Sequence, residues 1–308
     1  MMKITLGICF ACFLSNSVDA GVLESLDTEL VRAREAIDED LDSAENIITK
    51  LLKSKPDHPE VNFLCGRIMG KQAEESVIWA LSYASKSLSC LKTAVKLSPH
   101  DIRYRLGLMH YYIGAPSIVG GSEKLGLEQI SEISKLDPIA GAKAQVSFLS
   151  ALSRDDELSK RLNKFRSDYS DVPDFHYRHG LLLQKHQQYE NAYQAFKQAV
   201  DTYKTSAFVQ GKVPNNNQNE SVTYLNALYQ IGRNAVFSKK YLEEGTVALT
   251  LFIQLQNISS NEIPPIEWAY FRLAQLYKLS SLEYKTEIYL NKAKTTDDPE
   301  LIAVLQSF

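Results

Sequence analysis

A chain of 308 residues, 44% hydrophobic and 23% charged, has ordinary globular composition and is long enough for one large solenoid or two smaller domains. Its formal net charge of -3 lacks the basic excess needed to neutralise nucleic-acid phosphates. No Lys/Arg cluster favours an anionic membrane surface, so nucleic acid is excluded as the expected partner and membrane association is expected only through another protein.

The first twenty residues read as separate from the fold. Lys3 precedes the apolar run Ile4 to Leu14, and small residues at Val18 and Ala20 suit a signal peptidase. Residues 1–20 are expected to form a cleaved signal peptide, because eleven apolar residues fall well short of the roughly 20 needed to span a bilayer. Lipid attachment at Cys12 fits less well, since Cys9-Phe10-Ala11 carries a suitable small residue only at its last place. The address is therefore the periplasm, or secretion. Cleavage also removes Cys9 and Cys12, whose C-x-x-C spacing is a redox decoy. Cys65 and Cys90 remain, either bridged in an oxidising compartment or buried as two thiols.

Past residue 20 the hydrophobic pattern is helical and recurs. Ala44, Ile48, Leu51 and Pro56 carry the second half of a first helix pair. Cys65-Gly66 opens a second, closing with Leu91, Ala94 and Pro99, and Leu106-Gly107 opens a third, closing at Pro138. Ala140 to Tyr169 reads as a degenerate fourth. His179-Gly180 opens the fifth, Ile231-Gly232 the sixth with Tyr241 at its turn, and Leu273-Ala274 the seventh with Tyr277, Leu290 and Ala293. The fifth is the clearest: Ala192, Phe196 and Ala199 follow Gly180 at offsets of 12, 16 and 19, with Tyr189 at the turn. This spacing resembles the tetratricopeptide (TPR) repeat, in which small residues let two antiparallel helices touch. The resemblance implies an all-α fold: a single α-solenoid over 21–308, about seven helix pairs in a right-handed superhelix.

Two pairs are too long. Gly66 to Pro99 is 33 residues and Gly107 to Pro138 is 31, against about 24 in the repeat. The surplus is expected as insertions between paired helices, near 71–83 and 114–121. In the second, Pro116, Gly120 and Gly121 stop a helix, the glycines allowing positive φ before Ser122 caps the next. The polar, Asn-rich stretch 205–221, with Gly211 and Pro214, is expected to be a mobile loop. Asn219 and Asn257 begin formal glycosylation triplets.

No phosphate-binding loop, nucleophile elbow or His-Glu-x-x-His motif occurs, so no catalytic residue, metal or cofactor is expected and the chain is read as a non-enzyme. His176, His179 and His186 share roughly one helical face. His176 and His186 stand about 15 Å apart along a helix, too far to share one ion, so packing is their expected role.

The register places aromatics three residues before each small residue: Phe63, Tyr104, Tyr177, Tyr229 and Phe271. Tyr111, Tyr112, Phe237 and Trp268 add to that face, and Arg67 and Arg233 flank it. Aromatics and Arg dominate binding hot spots, although such rings also pack between neighbouring helices. The expectation is a concave groove for a protein or peptide, with the rings as anchors and the arginines as clamps. The alternative is a carrier of a small apolar ligand, with the insertions folded over a pocket of Tyr111, Tyr112 and Ile118.

Two patches carry a narrower resemblance. Tyr111 to Gly121, YYIGAPSIVGG, is similar to an element of the TPR proteins associated with TRAP-type solute transporters. Leu228 to Gly245 is similar to C-terminal repeats of bacterial envelope TPR proteins. The resemblance implies an exported bacterial adaptor that holds partner proteins in the cell envelope, or a carrier beside a solute transporter.

Overall fold

A computed structural model of the chain describes residues 17–209, 218–256 and 262–308. Among these the regular structure is helical throughout, and the contacts divide it into unit 1, ending at Ala151, and unit 2, beginning at Leu152.

Unit 1 holds α1 (Ser17–Glu39), α2 (Leu41–Ser54), α3 (Pro59–Glu75), α4 (Ala80–Leu97), α5 (Ile102–Gly114), α6 (Glu123–Leu136) and α7 (Pro138–Ala151). The local chemistry explains the boundaries. Asp40 accepts from the Ser43 N–H at 3.0 Å to start α2, whose Ala44, Ile48 and Leu51 form one buried stripe. Pro59 occupies the first turn of α3, where its missing N–H is no loss. Helices α1/α2, α3/α4 and α5/α6 pair, and the first helices α1, α3, α5 and α7 pack successively against one another.

Unit 2 holds α8 (Asp155–Asp168), α9 (Pro173–Lys185), α10 (Tyr189–Val209), α11 (Gln218–Ser238), α12 (Leu242–Leu255), α13 (Ile266–Leu279), α14 (Glu283–Ala293) and α15 (Pro299–Gln306). Pairs α9/α10, α11/α12 and α13/α14 repeat one geometry, with α9, α11 and α13 in succession. Their internal turns use left-handed residues, Gln187 at φ 58°, Lys239 and Tyr241 at 56° and 57°, and Ser281 at 57°. Close contact follows the small residues: a Cβ at Gly180 would lie 2.5 Å from the Phe196 ring, so Phe196 packs directly on the α9 backbone. The all-α solenoid architecture is thus present in both units.

Several details differ from expectation. The surplus near 71–83 is not a loop. Helix α3 continues to Glu75 and α4 begins at Ala80, because residues 71–75 are good helix formers, leaving only 76–79 as connection. The flanks of 205–221 are also helical, since α10 runs to Val209 and α11 starts at Gln218, clear of Gly211 and Pro214; its centre, 210–217, lies outside the described residues. The apolar run Ile4 to Leu14 and Asn257 lie outside them too, while α1 passes through the expected junction between Ala20 and Gly21. The fourth pair straddles the division: α7 packs with α5 and α6 in unit 1, and α8 packs with α9 in unit 2.

Candidate binding groove in unit 1

Helices α1, α3, α4 and α5 of unit 1 enclose an open cleft of about 830 Å³. That volume lies within the range of ligand-binding clefts, roughly 300–1,000 Å³. Its apolar wall includes Phe63, Ala84, Leu91, Leu106 and Tyr111. Arg67 and Lys71, one turn apart on α3, line the same cleft, and among the described residues neither forms an ion pair. Arg103, also at the cleft, is engaged with Asp101 at 2.8 Å and Glu60 at 3.3 Å.

Why the cleft stays open is visible in its supports. Cys65 on α3 and Cys90 on α4 form a disulfide with Cα atoms 5.9 Å apart, settling the open question in favour of a bridge. Ser87 donates to the Gly66 carbonyl at 2.7 Å, tying the same two helices together. The Tyr111 hydroxyl lies 2.9 Å from the Ala84 carbonyl and 2.8 Å from that of Val119, so its proton joins α5, α4 and the segment after α5. Burial raises its pKa.

That segment is a built turn. Pro116 precedes a 3-10 turn over Ser117–Val119, Gly120 takes φ 95°, and the Ser122 side chain accepts from the Leu125 N–H at 3.4 Å. Gly121 is required for another reason than positive φ: a Cβ there would meet the Ala115 carbonyl oxygen at 1.8 Å.

The remaining candidate residues are placed unequally. Tyr104 is buried beside Phe63, ring centroids 4.9 Å apart, and donates to Glu60 at 2.8 Å; burial and then that carboxylate raise its pKa. Tyr112 is buried with Leu91 and Leu108. In unit 2, Tyr177 packs on Phe196 at 6.0 Å and burial pushes its pKa up to about 12. Tyr229 is buried against Phe252, and Phe271 is fully buried between Trp268 and Phe308. Tyr104, Tyr112, Tyr229 and Phe271 therefore fill the seams between successive helices and have no free face for a partner. Phe63, Arg67 and Tyr111 come together at the cleft. Arg233 lies apart in unit 2, donating to the Gln184 side-chain oxygen at 2.5 Å. The expected pocket of Tyr111, Tyr112 and Ile118 does not form, since Tyr112 turns inward and Ile118 is 78% exposed.

Sequence reasoning missed the rim. Val77, Ile78 and Trp79, in the turn between α3 and α4, are 97%, 82% and 64% exposed, and the cleft lining begins just after them at Ala80 and Leu81. The available signal was an apolar V-I-W run at a helix connection, where polar residues are the rule.

The histidines pack around a cation that was also missed. The Arg166 guanidinium donates to His176 Nδ1 at 3.2 Å and lies 2.7 Å from His179 Nδ1. Burial, then the Arg166 charge, depresses the His179 pKa to about 4. His186 instead meets Asp155 at 2.9 Å near the surface. Among the described residues no cluster of three or more His, Cys, Asp or Glu side chains is arranged to hold a metal.

Paired helices with small residues at their crossings, stacked within each unit, define the TPR type of α-solenoid. Among solved structures, one match with a TM-score above 0.5 supports the fold, and two others are similar at lower scores. The APC/C hetero-tetramer Cut9-Hcn1 matches at TM-score 0.51 and 11% identity over 94% of this chain and 51% of that one. A tetratricopeptide repeat protein from Parabacteroides merdae matches at 0.47 and 12% over 92% and 97%. Pseudomonas aeruginosa PilF matches at 0.47 and 12% over 80% and 98%. No protein-family model and no curated protein sequence matches the chain.

Proposed function

We propose that the chain is a non-catalytic adaptor of the cell envelope, exported by its N-terminal signal, and that the unit 1 cleft takes an extended segment of a partner protein. The observation that carries this reading is an apolar wall with two cations, Arg67 and Lys71, that form no ion pair among the described residues. Asp38 and Glu74 line the same cleft, and the exposed Val77, Ile78 and Trp79 lie in the turn that leads into its wall at Ala80 and Leu81. A peptide with apolar side chains next to an acidic one satisfies both features: rings and aliphatic groups settle on Leu81, Leu106 and Phe63, and a carboxylate meets Arg67 and Lys71. Helix-pair solenoids present such surfaces as a consequence of their stacking. A buried disulfide fits an oxidising compartment and supports the exported address. The cleft offers no activated nucleophile, since Ser87 is buried with its hydroxyl committed to a backbone carbonyl.

A displayed peptide library selected on the protein tests this. Enriched peptides should share apolar residues adjacent to Asp or Glu. Their affinity should fall about tenfold or more on Arg67→Glu with Lys71→Glu, with helical circular dichroism unchanged. Enriched peptides that bind the double variant equally well contradict the proposal.

A further inference from the structure

Unit 2 contains a second cationic site, built differently from the cleft and independent of it. Arg233 on α11 and Arg272 on α13 share one aromatic shelf. The Arg233 guanidinium carbon lies 4.9 Å from the centroid of Phe237 and that of Arg272 lies 5.5 Å from the same ring. Arg272 also lies 5.3 Å from Trp268 and 5.4 Å from Phe271. The rings hold the guanidinium planes in place by cation–π contact and strip water from them.

These two cations share the Phe237 ring without a counter-charge. Among the described residues no carboxylate lies within ion-pair distance of either. Arg233 donates only to neutral partners, Gln184 at 2.5 Å and Gln230 at 3.4 Å, and Arg272 donates to Gln275 at 2.7 Å. The Arg272 Nε–H is buried and finds no acceptor. Burial, then the charge of Arg272, lowers the Arg233 pKa. Partly buried cations without a counter-charge are costly unless an anion completes them. Phe237 meanwhile keeps 41% of its surface exposed beside them.

We infer that Arg233 and Arg272, with the Phe237 and Trp268 rings, form a binding site for an acidic segment of a polypeptide, a carboxylate bridging the guanidinium pair while a neighbouring apolar side chain covers Phe237. A carboxylate accepts from two guanidinium groups with several N–H donors available. An inorganic oxyanion would satisfy the charge and leave the exposed ring uncovered. A nucleic acid would demand a broad basic surface, and the chain carries net charge -3.

Trp268 supplies a local reporter. The chain has two tryptophans, so Trp79→Phe leaves Trp268 as the sole emitter, about one ring contact from Arg272. The full chain in this background is titrated with acetyl-Glu-Leu-Glu-Leu-Glu-amide, its Gln-Leu-Gln-Leu-Gln analogue and inorganic pyrophosphate. The expected result is a saturable change of Trp268 emission with the acidic peptide only, weakened about tenfold by Arg272→Met and partly restored by Arg272→Lys. Arg233→Gln serves as the second variant should Arg272→Met fail to fold. Absence of a saturable change with the acidic peptide overturns the site, as does a response to pyrophosphate alone or one unaltered by both variants. The Trp268 response should persist unchanged with Arg67→Glu and Lys71→Glu, so failure of this site and failure of the unit 1 cleft are read separately.

Discussion

Units 1 and 2 follow one repeat register and put it to different use. In unit 2 the core is aromatic and closed: Phe196 and Phe252 are fully buried, Tyr193 stacks on Tyr241 at 4.0 Å and Tyr203 on Tyr224 at 4.4 Å. In unit 1 the core is largely aliphatic, with Ile48, Leu64, Ile68 and Met69 fully buried and a disulfide clamping α3 to α4. The disulfide-tied α3 and α4, together with α5 and the segment after it, surround an open cleft in that unit. The same register position shows the contrast. Phe63 is half-buried and lines the cleft, whereas Phe271 is sealed by Trp268, Leu301 and Phe308. Register thus specifies which side chain turns toward the neighbouring helix, and the side chains that later elements place over it, such as Leu301 and Phe308 over Phe271, decide whether it stays accessible.

The contrast can be broken most strongly at the aromatic positions. Phe196→Ala should destabilise unit 2 by about 3–5 kcal/mol, the usual consequence of removing a fully buried ring that contacts a glycine backbone. Phe63→Ala should have a much smaller effect on unit 1, because its ring already borders solvent. Denaturant unfolding of both variants compares them, and equal losses would mean that the cleft is not open in solution.

A smaller effect separates the units by redox state. Reduction of Cys65–Cys90, which closes a loop with sequence separation 25, should lower the stability of unit 1 by about 2–4 kcal/mol and leave unit 2 unaffected. Unfolding followed by hydrogen exchange with and without reductant checks this. Free thiols in protein recovered from its native compartment would remove the support for an oxidising address.

The smallest effect is a pH dependence confined to unit 2. His179 titrates near 4 when folded, against an ordinary value of about 6.5, so between these values the unfolded chain holds the extra proton. The contribution is complete above about pH 6.5 and declines as pH falls toward 4. Between pH 7 and 5 it amounts to a loss of about 2 kcal/mol, which His179→Asn should reduce, leaving the contribution of His176, whose pKa burial also lowers. Melting curves across that interval report it.

Much of the architecture was legible because its cause is local. The Gly180–Phe196 contact and the helix start at Ser122 arise from side chains acting within a few turns, and sequence spacing records such effects. The site was legible only in part. Burial of Tyr104, Tyr229 and Phe271 depends on how closely successive first helices approach, a tertiary distance that periodicity does not encode. The roles of Gly121, Arg166 and Arg272 depend on partners that spacing does not reveal: a carbonyl folded back on its own turn, two histidines on the next helix, and a ring on α11. The Val77-Ile78-Trp79 rim was visible as composition but was absorbed into an expected insertion, because a helix that overruns its repeat looks the same in sequence as a loop.

The central claim is that the unit 1 cleft holds the partner segment. Hydrogen–deuterium exchange of the full chain, with and without a saturating selected peptide, tests it at the level of individual segments. The account predicts slowed exchange across residues 67–87 and 103–116, and loss of that protection on Arg67→Glu with Lys71→Glu. Peptide binding at the same affinity with exchange unchanged over both segments would contradict it.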